Sequence, residues 1–170
     1  MKNLFEELKE DINVNGNHLE KITVIFIYRL GNYLYYSNLP KIIKKICLII
    51  LQIIRKIFIV LGFKIEIPFK CKIGKGLKLM HPHSIIINEN VVIGEYCTIY
   101  HQVTIGANEQ KDPQKVAQIG NNVYIGCGAK IIGNVKIDDN VKIGANAVVV
   151  RDLDNGDIAY CEQKVIKAKY

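Results

Sequence analysis

The chain has 170 residues, five cysteines and a formal net charge of +7, with 23 basic against 16 acidic residues. That length suits one domain with a small appendage, and an apolar content of 49% excludes a disordered or collagen-like chain. The cysteines, at 47, 71, 97, 127 and 161, are odd in number and form no CxxC pair, so free thiols in a reducing compartment are expected and no metal site is.

Residues 1–64 read as a helical region. The N-terminal stretch MKNLFEELKEDINVNG is acidic and amphipathic and has no apolar core before a cleavage site, so it is not a signal peptide; a cytoplasmic protein is expected. Residues 3–12 predict a short helix, and Asn15-Gly16 a turn. Asn17 with Glu20 has the spacing of a capping box and predicts a second helix through Tyr36. After the break at Ser37-Asn38-Leu39-Pro40, a third helix is predicted over about 41–61.

From Lys21 to Ile65 there is no Asp or Glu, and eight positive charges fall there: Lys21, Arg29, Lys41, Lys44, Lys45, Arg55, Lys56 and Lys64. Such a cluster points to an anionic partner. In the third helix the polar positions 41, 44, 45, 52, 55 and 56 share one stripe beside a broad apolar face. Arg55 and Lys56 interrupt the apolar runs and disfavour a spanning segment. Two readings stay open: packing in a bundle or subunit interface, or a helix lying on the inner face of the cytoplasmic membrane. Nucleic acid is not expected, because no base-stacking platform or DNA-binding motif accompanies the charge.

Residues 65–158 follow a different rule. Isoleucine recurs at 87, 93, 99, 105, 119, 125, 131, 137 and 143, and Val149 closes the series. A second series holds Val91, Cys97, Val103, Val123, Ala129, Val135, Val141 and Ala147. Steps of six fit neither the helical period of 3.6 nor the strand period of 2; they fit hexapeptide repeats, three short strands to each coil of a parallel β-helix. Glycine after the isoleucine, at 94, 106, 120, 126 and 144, suits the tight backbone of the corners. Two irregularities break the count. One lies between Leu79 and Ile87 and contains His81-Pro82-His83. The other, Ala107 to Gln118, is polar and is expected to protrude as a loop. Residues 159–170 form a C-terminal tail, a short strand or helix.

The runs GLKLMHPHSIIINENVVIGEYCTIYHQVTIG and IGNNVYIGCGAKIIGNVKIDDNVKIGANAVVVRDL resemble the serine acetyltransferase branch of the hexapeptide acyltransferases, most closely those that O-acetylate sugars of bacterial surface polysaccharides. The resemblance implies a mainly β chain, a left-handed parallel β-helix behind a short helical region, assembled as a homotrimer with acetyl-coenzyme A bound between subunits. It implies His81 as general base and Glu66, fifteen residues earlier, as its acidic partner. Backbone N–H groups near Gly106 and Ala107 would face the acyl group, and Gly126, Gly128, Ala129, Lys130, Gly144 and Ala145 would line the coenzyme channel. Lys130 or Lys164 would meet its phosphates. Met80, His83 and His101 are candidates for contact with the acceptor, His83 also being an alternative base.

Three departures bear on the acceptor and coenzyme. Met80 stands where serine acetyltransferases carry Asp, Lys115-Val116 where they carry Arg-His, and Tyr160-Cys161-Glu162 where they carry a Gly-x-Pro turn. A Met and a Val cannot make the charge-assisted bonds an amino acid's ends require. The expectation is therefore transfer of acetyl to a sugar hydroxyl in capsule or lipopolysaccharide biosynthesis, with serine O-acetylation as the alternative. A zinc enzyme on the same fold, using His81, His83 and His101, and a non-catalytic scaffold are the competing classes.

Overall fold

A computed structural model of the protein describes residues 4–162. Three helical stretches precede the β-structure: α1 (Leu4–Asn15), α2 (Leu19–Tyr36) and α3 (Lys41–Arg55), the last continuing through a π-helical turn, Lys56–Val60, to Leu61–Phe63. Helix α1 runs three residues past the predicted end and stops at Gly16, whose φ of +65° and N–H···O bond to Ile12 close it. The capping box does not form. His18 occupies the N-cap of α2 without a side-chain bond, and Glu20 is exposed in the first turn.

Short parallel strands then stack in three sheets, the faces of a left-handed β-helix. The first face holds Lys72–Ile73, Val92–Ile93, Gln118–Ile119 and Lys136–Ile137. The second holds Lys78–Met80, Thr98–Tyr100, Tyr124–Ile125, Lys142–Ile143 and Ile158–Ala159. The third holds Ile86–Ile87, Thr104–Gly106, Lys130–Ile132 and Val148–Val149. Register follows the repeat: Ile99 pairs with Leu79 and Ile125, and Ile105 with Ile87 and Ile131. Each recurring isoleucine is buried, and so is each small companion, including Cys97, Val123 and Ala129. Inward residues therefore touch their equivalents in the neighbouring coils, which is the packing the six-residue spacing demands.

The corners take positive φ not at the glycine that follows an isoleucine but at Gly76, Tyr96, Gln102, Asn122, Gly128, Asn140 and Asn146. The glycine that follows an isoleucine is there for close approach: a Cβ on Gly94 would lie 2.5 Å from the Gly120 carbonyl oxygen.

The first coil has no coil before it, so its backbone edge needs partners. Helices α1 and α2 supply them with buried polar side chains. Arg29 donates to the carbonyls of Ile73 (2.7 Å) and Gly74 (2.6 Å) and pairs with Asp11 at 2.7 Å. Asp11 accepts from Leu77 N–H, Asn15 bonds Leu77 O and Leu79 N–H, and Asn32 bonds the carbonyls of Phe69 and Cys71. Burial pulls the Arg29 guanidinium down, but bonding and charge from Asp11 outweigh it and hold it above its ordinary value. The basic excess of residues 21–65 is thus smaller than a count implies, because Arg29 is spent inside the fold.

Candidate active site

His81 follows the strand Lys78–Met80 at the corner between the second and third faces, exposed and at φ +53°, with Ser84 at φ +52° completing the irregular turn. A histidine in left-handed backbone, at a corner that departs from the repeat, marks a place where the chain adopts an unfavoured conformation. Since Met80 pairs with Tyr100, His81 sits one rung from His101. Their rings meet edge to face with centroids 6.2 Å apart. His101 is half-buried, and among the described residues its Nδ1 is the one buried side-chain polar atom with no hydrogen-bond partner. A buried acceptor or donor left unbonded is costly unless something else binds it.

The corner continues downward. His101 O accepts from Gly128 N–H, and Cys127 O accepts from Asn146 N–H, so His81, His101, Cys127 and Ala145 follow one line. Gln102 joins this line to its surroundings, donating its N–H to His83 O and accepting Lys130 Nζ at 2.6 Å on its carbonyl. Residue spacing alone did not single out Cys127 or Gln102; the signal was the register, twenty residues from 81 to 101 and twenty-six from 101 to 127. Beside the line, the Tyr100 and Tyr124 rings meet tilted at 57° with centroids 5.3 Å apart, and hydrogen bonding with Tyr100 pushes the Tyr124 phenol up to about 12.

Several expected residues lie elsewhere. His83 packs its ring on Phe63, 5.5 Å between centroids, away from the His81–His101 contact. Ala129 is fully buried, so its side chain belongs to the core and cannot line a coenzyme channel. Gly126 is buried too, and a Cβ there would meet Ala145 N at 2.8 Å, so its glycine serves the next coil. Gly128 is likewise crowded by Asn146, whereas Ala145 is exposed and Gly106 opens outward, with only Ile132 Cδ1 within 4 Å of an added Cβ. Gly144, Ala145, Gly106, Ala107 and Lys130 therefore remain in reach of a bound molecule; Lys164 lies outside the described residues. Gly106 and Ala107 stand at the far end of the third-face strand from His101, up to about 16 and about 20 Å along the chain at ~3.3 Å per residue.

Glu66 is exposed on the third face, where it bridges Ile86. No hydrogen bond or ion pair joins it to His81 among the described residues. Its carboxylate instead faces a groove of 860 Å³ lined by Lys41, Lys44, Lys45, Arg55 and Lys56. Burial lowers Arg55 from the usual guanidinium range, and the Glu66 charge partly offsets that. Stacking by coil explains the separation: the residue over Glu66 is Ile86, five positions beyond His81.

The protruding loop is also only half as expected. Asn108 and Asp112 close a small turn at its tip, and Lys115 pairs with Asp112 at 3.2 Å on the surface. Val116 and Ala117, however, are buried, at 4% and 0% exposure. Val116 is a core residue, so its identity carries no information about what an acceptor pocket holds.

The bacterial transferase hexapeptide (six repeats) family matches residues 117–151. The serine acetyltransferase of Synechococcus elongatus is 32% identical over 126 residues, 74% of this chain and 48% of that protein. That of Helicobacter pylori is 44% identical over 95 residues, 56% of each. The chain spans about half the length of these curated relatives. Among solved structures, serine acetyltransferase isoform 3 from Entamoeba histolytica in complex with cysteine superposes with a TM-score of 0.76 at 26% identity, over 98% of this chain and 61% of that one. A serine acetyltransferase in complex with CoA gives 0.77 at 26%, over 93% and 67%.

These relatives overturn the expected sugar acceptor: all are serine acetyltransferases, and none acts by name on a polysaccharide. That expectation rested on Met80, Lys115 and Val116 as acceptor contacts, and of these Val116 is a core residue while Lys115 is spent on a surface pair with Asp112. The chain is a hexapeptide-repeat β-helix protein homologous to the serine acetyltransferases.

Proposed function

We propose that the chain transfers the acetyl group of acetyl-coenzyme A to the hydroxyl of serine, with His81 as general base. The observation that carries this reading is the 44% identity to a serine acetyltransferase over 95 residues, together with a corner at which two histidine rings meet. The His81 imidazole takes the proton as the serine oxygen attacks the thioester carbonyl. The tetrahedral intermediate then breaks its C–S bond, and the imidazolium returns the proton to the departing thiolate. His101, with its unbonded Nδ1, binds a polar group of the acceptor. Gly144, Ala145 and Lys130 line the coenzyme's path, and the Gly106–Ala107 amides steady the acyl oxygen.

Glu66 is the orienting carboxylate in this reading. Catalytic hydrogen bonds are often unmade in unliganded enzymes and tighten with substrate, so the pairing calls for a new Glu66 rotamer on binding. The distance from His101 to Gly106 favours a site shared between copies, since a neighbouring chain can bring its own Gly106 loop to this His81. Exposed Ile86 and Val148 on the third face suit such an association, for which a homotrimer is proposed.

The test is thiol release from acetyl-coenzyme A by the purified chain, with and without serine. Serine-dependent release is expected, with His81→Ala lowering kcat/KM by about 10²–10⁴-fold. Release indifferent to serine would overturn the proposal.

A further inference from the structure

The segment Lys41–Phe63 is 23 residues long and apolar enough by composition to cross a bilayer, yet one side of it packs against α2 and the start of the first coil. Leu51 and Ile59 anchor it in the core, Arg55 donates to Ile67 O, and Lys44 donates to Ser37 O. The rest of its apolar side faces outward: Ile42 is 76% exposed and Leu61 69%, with Ile46, Ile50, Ile53 and Ile57 all more than half exposed between them. The π-helical turn preserves this face. Phe58, seven residues after Leu51, would share its buried side in an uninterrupted α-helix. Instead Phe58 is exposed and Ile59 turns inward, so the register has shifted by one residue.

Charge lies along one flank of that face. Lys41, Lys44, Lys45, Arg55 and Lys56 border the 860 Å³ groove, and Glu66 is the one acid among its lining residues. Exposed Tyr33, Tyr35 and Tyr36 stand at the end of α2 that leads into the helix, amphipathic rings of the kind enriched at membrane–water boundaries. A second copy is a poor occupant. It would present the same cations, and the exposed isoleucines offer no polar group to fix a register. An anionic surface complements the charge and accepts a featureless aliphatic face.

We propose that Lys41–Phe63 seats the chain on an anionic lipid bilayer, its isoleucine face among the acyl chains and its lysine flank at the headgroup phosphates. The helix lies in the interface and does not span it, because its opposite side is built into the fold. This inference is independent of the acceptor.

Flotation of the purified full chain with phosphatidylcholine vesicles, with and without phosphatidylglycerol, tests it. Retention is expected on the anionic vesicles, falling about tenfold or more on neutral ones and at high salt. Ile46→Glu with Ile50→Glu is expected to abolish retention, and Lys41→Glu with Lys45→Glu to remove the anionic preference, both with unchanged far-UV circular dichroism. Failure of the unaltered chain to float with anionic vesicles overturns the proposal, as does equal retention on neutral ones. So does resistance to alkaline carbonate extraction, which marks a spanning helix. A fall in mass by light scattering for the Ile46/Ile50 variant, in a chain that ignores lipid, assigns the face to a second copy instead.

Discussion

Isoleucine builds two regions of this molecule by opposite rules. In the β-helix the isoleucines of successive coils are buried on one another, and the sixfold spacing leaves none of that series outside. In α3 only Leu51 is buried, and a face of isoleucines of equal hydrophobicity looks outward. Composition is therefore a poor guide to where stability resides. Folding is driven by apolar area removed from water within the chain, and by that measure the coils hold the fold together while α3 carries surface reserved for something else.

The sharpest way to break the comparison is to put a charge at equivalent residues of each region. Ile99→Asp places a carboxylate in a fully buried column with no partner. The expected loss is more than ~4 kcal/mol, enough to abolish the cooperative transition in thermal or urea unfolding. Next in size is the junction between the regions. Arg29→Met leaves Asp11 buried and ionised against the first coil and removes donors to Ile73 O and Gly74 O. A loss of about 3–5 kcal/mol is expected, and the double change with Asp11→Leu should recover part of it. A result near zero for Arg29→Met would mean that the helices do not seal the end of the β-helix.

The coils were legible because a repeat writes the same geometry many times: the isoleucine series alone gave fold, register and core. What was not legible depended on contacts between non-equivalent parts. Arg29 counted as surface charge, since nothing in the residues around it announces that Asp11, eighteen positions earlier, meets it under a sheet edge. Val116 read as loop for the same reason. At the candidate site the His81–His101 contact follows from the twenty-residue coil, whereas the Glu66 partnership depends on how far a carboxylate reaches from its place over Ile86, which residue spacing does not give.

A smaller effect is expected at the corners. Gly94→Ala puts a methyl 2.5 Å from Gly120 O, between two coils that cannot part without breaking ladder bonds on either side. About 1–3 kcal/mol is expected, read as a lowered urea midpoint. The buried thiol of Cys97 offers a pH probe of the same core. Burial pushes it up to about 11 from 9.0, with its Sγ–H donated to Gly120 O. A raised value in the folded state means the stabilisation is whole below pH 9 and lost as pH rises toward 11, because the unfolded chain releases the proton first. Cys97→Ala should flatten that part of the stability profile.

The smallest expected effect sharpens the contrast most. Ile50→Glu lies on the outward face of α3, half-exposed and away from the packed side that holds Leu51. Glutamate is as good a helix former as isoleucine or better, and the carboxylate remains in water. Its helical neighbours three and four positions away, Ile46, Cys47, Ile53 and Ile54, are uncharged, so no like-charge repulsion is introduced. Unfolding of the lipid-free chain should therefore shift by no more than ~0.5 kcal/mol, the range of substitutions that touch nothing. A loss of several kcal/mol, comparable to Ile99→Asp, would mean that the face is covered in the free protein, and the two regions would then differ only in which chain does the covering.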